Sequence, residues 1–163
     1  MKRIHTISII GSFRRHYPEV VLAIETFSAA GIKVLSPERS EILDENQEFV
    51  RFTSDPPFST DAEIQDRAFA NMLRSDAVFV VAPDGYVGRT TCLELGRLMD
   101  RDIPIFYSES PRDLPIRVGR TQVLSPDALV ARWATAGSLA GGEAVPPTPA
   151  QASTPSRKAM TRA

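Results

Sequence analysis

Six consecutive apolar residues, "AVFVVA" at Ala77–Ala82, constrain this chain more than any other stretch. A strand with one face in water alternates polar and apolar side chains. An unbroken apolar run of this length fits a strand covered on both faces, as at the centre of a parallel sheet. Parallel neighbours need crossover connections, usually helices, so the run also implies what flanks it. Upstream, "STDAEIQDRAFANMLRSD" carries Ile64, Ala68, Phe69, Met72 and Leu73 on one helical face, and Thr60 with Glu63 has the spacing of a capping box. Downstream, a helix is expected over Thr91–Arg101, followed by a strand in "IPIFY".

The same alternation extends both ways. "IHTISII", Ile4–Ile10, is rich in β-branched residues and reads as a first strand. Gly11 permits a sharp exit into "GSFRRHYP", read as a loop, and Pro18 then opens a helix to Ala30 that buries Val20, Val21, Ile24 and Phe27. Gly31 ends that helix, and "IKVLSP" forms a second strand stopped by Pro37. Near the other end "RTQVLS" reads as a short edge strand. In "SPDALVARWA", Ser125 caps a last helix, with Pro126 at its first position and Asp127 near its positive end. The expectation is an α/β fold, a flavodoxin- or Rossmann-like, doubly wound, three-layer parallel sheet of about five strands. It occupies residues 1–134. After about Ala134 the chain turns to Pro, Ala, Ser, Thr and Gly, and 135–163 is expected to be a disordered tail.

The bulk numbers exclude several function classes. The chain has 163 residues, 42% hydrophobic and 24% charged, with a formal net charge of −1. No global field draws it to a nucleic acid polymer, and no apolar run approaches a membrane span. The short apolar run at the N-terminus has strand character and no cleavage site, so a cytoplasmic protein is expected. One cysteine, Cys92, and two histidines make a disulfide or zinc site improbable, and no metal or cofactor is expected.

In doubly wound sheets ligands bind beyond the C-terminal strand ends. Two segments leave strands there: "GSFRRHY" and "PDGYVGRTT". The candidate substrate-binding residues are therefore Gly11, Ser12, Phe13 and Arg14 from one, and Asp84, Tyr86, Gly88, Arg89 and Thr90 from the other. Gly85 and Gly88 allow tight turning, threonines at a helix N-terminus favour an anion, and the arginines add charge-assisted bonds. Neither a phosphate-binding P-loop nor a dinucleotide fingerprint is present. Glu94 stays open on spacing: Thr91-Cys92-Leu93-Glu94 is itself a capping box, and a glutamate entering a crevice is also a candidate catalyst. From Glu38 to Thr60 the pattern weakens into a long loop with room for one helical turn, expected to cover a ligand's base. Cys92 is expected to pack on one face with Leu95, Gly96 and Met99, and Asp66 to be solvated.

Taken together, "ISIIGSFRR" and "SDAVFVVAPDGYVGRTTCLELGRLMDRDIPIFY" resemble the nucleoside 2-deoxyribosyltransferase-like superfamily, which includes 2′-deoxynucleoside 5′-monophosphate N-hydrolases. The matching pieces span roughly Ile4 to Tyr107. They are a strand ending in Gly-Ser-x-Arg, an Asp before an apolar strand, a Gly-containing loop and Glu-Leu-Gly opening a helix. The resemblance implies that Glu94 is the nucleophile of an N-glycosidase, forming a covalent glycosyl ester that water or another base resolves. It implies that Gly11, Ser12 and Arg14 face sugar and phosphate, that Gly88, Arg89 and Thr90 hold a 5′-phosphate, and that the protein is a homodimer or larger. The chain departs from the pattern at Ala68, eight residues before Asp76, where the family carries an Asp; Asp66 lies roughly 200° round the helix from it. Gly88 stands where the transferases have an acidic residue, with Asp84 further upstream. These departures favour hydrolysis or binding alone over base exchange. Two other readings stand beside it: a non-catalytic nucleotide-sensing domain of the same fold, and a phosphoribohydrolase of the cytokinin-activating type, whose "P-G-G-x-G-T" loop is echoed by "PDGYVGRTT".

Overall fold

The computed structural model describes residues 4–44, 47, 49–112 and 114–140. Its sheet has four strands, β1 (Thr6–Gly11), β2 (Lys33–Ser36), β3 (Ala77–Val81) and β4 (Ile105–Tyr107), in the order β2-β1-β3-β4. Every ladder is parallel. Four α-helices cover it: α1 (Phe13–Ala29), α2 (Asp61–Arg74), α3 (Arg89–Leu98) and α4 (Pro126–Ala140). All five residues of β3 are buried, which is why its sequence is apolar throughout.

The two faces of the sheet sort the side chains by parity. Ile7, Ile9, Phe79 and Val81 pack with Val20, Ile24 and Phe27 of α1 and with Leu129 and Trp133 of α4. Ile10, Val78 and Val80 pack on the other face with Phe69 and Met72 of α2 and Leu95 and Leu98 of α3. The result is three layers, as the alternating pattern requires. Tyr107 and Trp133 lie within these cores.

Several expectations need correction. The sheet has four strands, because "RTQVLS" forms a 3-10 turn over Arg120–Gln122 and contributes one parallel bridge, Val123 to Tyr107. The Gln122 side chain accepts from Gly119 N at 2.9 Å and donates to Ile105 O at 3.1 Å, taking up groups that a fifth ladder would have used. "GSFRRHYP" is not a loop: helix α1 begins at Phe13, with a kink at His16 (φ −131°, ψ 32°) two residues before Pro18. Proline removes an N–H and disfavours helical geometry just upstream, so the break falls there. The last helix runs to Ala140, six residues beyond the expected boundary at Ala134; the remainder of the tail assigned to disorder, 141–163, lies outside the described residues. On α2 Leu73 is 40% exposed rather than buried, and Met99, the C-cap of α3, is 53% exposed, while Cys92 does pack partly against the core. Among the described residues no helix is long and apolar enough to cross a membrane.

Segment 38–60 shows no helical turn among its described residues. It folds back on itself through an antiparallel bridge between Ile42 and Phe52, with Leu43 N donating to Arg51 O at 2.8 Å. Phe52 is buried against Phe13 and Tyr17, at centroid distances of 5.5 and 5.6 Å, and Arg51 pairs with Asp61 at the start of α2.

Candidate active site

The chain runs from β1 outward to β2, then reverses across β1 to β3. At such a reversal two connections leave the sheet in opposite directions and open a crevice beyond the strand ends. Here those ends are Gly11 and Val81, which are paired in register. A cavity of about 640 Å³ lies beyond them.

The two segments singled out from sequence meet at this cavity. A Cβ placed on Gly88 would lie 3.6 Å from Ser12 Cβ, so the turn after β1 and the start of α3 touch. Gly11, Ser12, Phe13, Arg14, Tyr86, Gly88, Arg89, Thr90 and Glu94 all line the cavity. Asp84 does not: it is exposed, at φ 55°, in the 3-10 turn Pro83–Gly85. The glycines have different reasons for being there. At Gly11 a Cβ would sit 2.8 Å from Val81 O, so a close approach of strands excludes a side chain; this corrects the reading of Gly11 as an exit hinge. Gly85 has φ 72°, and a Cβ there would meet Ser110 O at 2.7 Å, so the turn itself demands glycine.

Helix α3 starts earlier than its sequence suggests. Gly88 is the N-cap, and its carbonyl accepts from Cys92 N at 2.9 Å, which puts Thr91 and Glu94 inside the helix. No side chain caps α3, and its first turn holds no acid. The capping reading of Glu94 therefore fails, and its charge is not set against the helix end in the first turn. The contrast with α2 is direct: there Thr60 and Glu63 form the full reciprocal box, and the bonds from Thr60 hold the Glu63 carboxyl below its usual range.

Glu94 is instead buried, with 7% of its surface exposed, while lining the cavity. Its one hydrogen-bond partner among the described residues is Gln65 of α2, whose Nε2 donates to Oε1 at 2.8 Å. Burial pushes the carboxyl up from 4.5 to about 7, with the Gln65 amide pulling the other way. A buried carboxylate with a raised pKa in a cleft is a candidate for chemistry, since it is held there at a cost in solvation.

Gln65 was invisible in the apolar pattern of α2. The available signal was its spacing: Gln65, Ala68 and Met72 fall on one helical row, and all three line the cavity. Ala68 is where the resemblance expects an Asp. Asp66 points elsewhere, exposed and 3.8 Å from Arg97, as its angular offset implied. Phe49, Val50 and Phe52 of segment 38–60 were also not singled out, yet they give the cavity an apolar wall. Arg15, too, lines it, its guanidinium stacked 4.3 Å from the Tyr86 ring centroid.

No protein-family description, curated protein or solved structure matches the chain.

Proposed function

We propose that the protein is an N-glycosidase acting on a nucleoside 5′-monophosphate or nucleoside, with Glu94 as nucleophile. One observation carries the reading: a buried carboxylate, freed from any capping duty, lines a nucleotide-sized cavity where the turn after β1 meets the start of α3. In this mechanism a Glu94 oxygen bonds to the anomeric carbon as the C–N bond breaks. The electron pair leaves with the base nitrogen, which takes a proton from water. Water then attacks the glycosyl ester, giving the free sugar hydroxyl and restoring the carboxylate.

Features of the cavity support the substrate class. The N-termini of α1 and α3 both open on it, and Arg14 and Arg15 line it, which suits an anion such as a 5′-phosphate. The wall of Phe49, Val50 and Phe52 suits a flat apolar base, in keeping with a covering role for segment 38–60. The reading includes a homodimer or larger assembly, which sedimentation measures.

The test is a panel of ribo- and deoxyribonucleosides and their 5′-monophosphates, with free base measured by chromatography. Release that vanishes in Glu94→Ala supports the reading, and release by that variant at the wild-type rate rejects it. One observation favours a second reading, a nucleotide-binding domain without turnover: Ala68 lines the cavity where the resembling enzymes carry an Asp. Tight binding of a nucleotide without base release would assign that role.

A further inference from the structure

We propose that Gln65 is the positioning residue of Glu94: its side-chain amide fixes one carboxylate oxygen and thereby selects which oxygen is presented for reaction. The inference rests on Glu94 being the reactive group and adds a residue that the resemblance does not supply.

The geometry is specific. Gln65 and Glu94 lie 29 positions apart and meet only because α2 and α3 pack on the same sheet face. The amide nitrogen is 2.8 Å from Oε1, and the carboxylate has no other hydrogen-bond partner among the described residues. A buried carboxylate with a single donor has its rotamer set by that donor. Helix α2 is itself held firmly where Gln65 sits. Its first turn carries the Thr60–Glu63 box, and Arg51 Nε bonds Asp61 at 2.8 Å. An amide also orients without competing: it brings no charge into the cavity and does not titrate there. An acid at the same place would share a proton with Glu94 and split the titration of both.

Among the described residues, the charged groups facing the cavity from other positions are Arg14 and Arg15 of α1, Arg67 of α2, Arg89 of α3, and Glu38 and Asp55 of segment 38–60. All remain when Gln65 alone is changed, so a difference between variant and wild type reports the amide.

The experiment uses the full chain with 13C-labelled glutamate carboxyls. The Glu94 resonance is assigned by its loss in Glu94→Gln, and its titration is followed in wild type, Gln65→Leu and Gln65→Ala, with melting curves to show that each variant is folded. Losing one charge-assisted bond to the ionised form should raise the midpoint by about 1 pH unit. On a substrate that wild type cleaves, kcat should fall about tenfold with KM little changed, even at a pH where Glu94 is fully ionised, because the oxygen is no longer aimed. An unmoved midpoint in both variants overturns the proposal. So does a moved midpoint with full kcat at high pH, since the bond then tunes acidity without positioning. A moved midpoint in a protein that cleaves no nucleotide retains the structural bond and rejects the glycosidase reading instead.

Discussion

At the scale of single residues, Glu94 sets two opposing demands. The proposed nucleophilic role needs it ionised, whereas its burial favours the proton, with the carboxyl raised from 4.5 to about 7. The folded state therefore binds this proton more tightly than the unfolded chain. Its contribution to stability is full below about 4.5 and is lost as pH rises through about 7. Glu94→Gln keeps an acceptor for Gln65 and removes the charge. The variant should match wild type near pH 4 and exceed it by up to about 3 kcal/mol near pH 8, measured by urea unfolding across pH. Equal stability at both ends would show that the buried carboxylate carries no such strain. The same titration gives the activity a direction: as a nucleophile, Glu94 makes kcat/KM rise with pH through about 7 and level off. A profile that falls through that range would make Glu94 a proton donor instead. Gly11 carries a prediction of a different kind. Gly11→Ala forces a Cβ against Val81 O and should cost about 1–3 kcal/mol by strand displacement, and a melting temperature equal to wild type would contradict that close approach.

At the scale of elements, segment 38–60 and the helix starts show what the sequence could and could not disclose. Apolar strands and the α2 cap were legible, because runs of β-branched residues and a T-x-x-E spacing are local signals. The start of α3 was not: Thr91 and Glu94 carry a capping spacing, but the helix begins at Arg89, and Glu94 turns inward to a partner on another helix. Local spacing cannot report a bond formed across the sheet face. Helix α1 misled in the same manner, since Pro18 marks a favoured first position while the chain already turns helically from Phe13. The irregular segment after Pro37 was legible only as irregular. Its anchor, Phe52 between Phe13 and Tyr17, depends on the kinked start of α1 at residues 13–17, which has no local sequence signal. Phe52→Ala should therefore loosen the segment. We expect a loss of about 3 kcal/mol, the low end for a buried phenylalanine, together with faster proteolysis within 38–60. Unchanged cleavage there would mean that the segment is held by its Arg51–Asp61 pair and backbone bridge alone.

At the scale of the whole molecule, position within the sheet explains why chemistry-bearing residues from distant segments gather at one end. The order β2-β1-β3-β4 puts the reversal between β1 and β3, and the turns after those two strands deliver Ser12, Arg14, Arg15, Arg89 and Thr90 to one cavity. A chain of net charge −1 thus concentrates arginines and two helix N-termini at a single mouth. A local field of that sign should be selective for anions although the molecule as a whole is not basic. Inorganic phosphate is the simplest probe. At tenfold its dissociation constant it should stabilise the folded state by about 1.4 kcal/mol, a rise in melting temperature of about 3–6 °C for a chain of this size. Arg14→Ala should lower that affinity about tenfold, and added sodium chloride should weaken it progressively, since these contacts open to solvent. Sulfate should compete with phosphate, whereas an uncharged nucleoside should not displace either. If phosphate leaves the melting temperature unchanged and Arg14→Ala binds a 5′-monophosphate as wild type does, the anion belongs elsewhere, and the cavity is selecting its ligand through the apolar wall of Phe49, Val50 and Phe52.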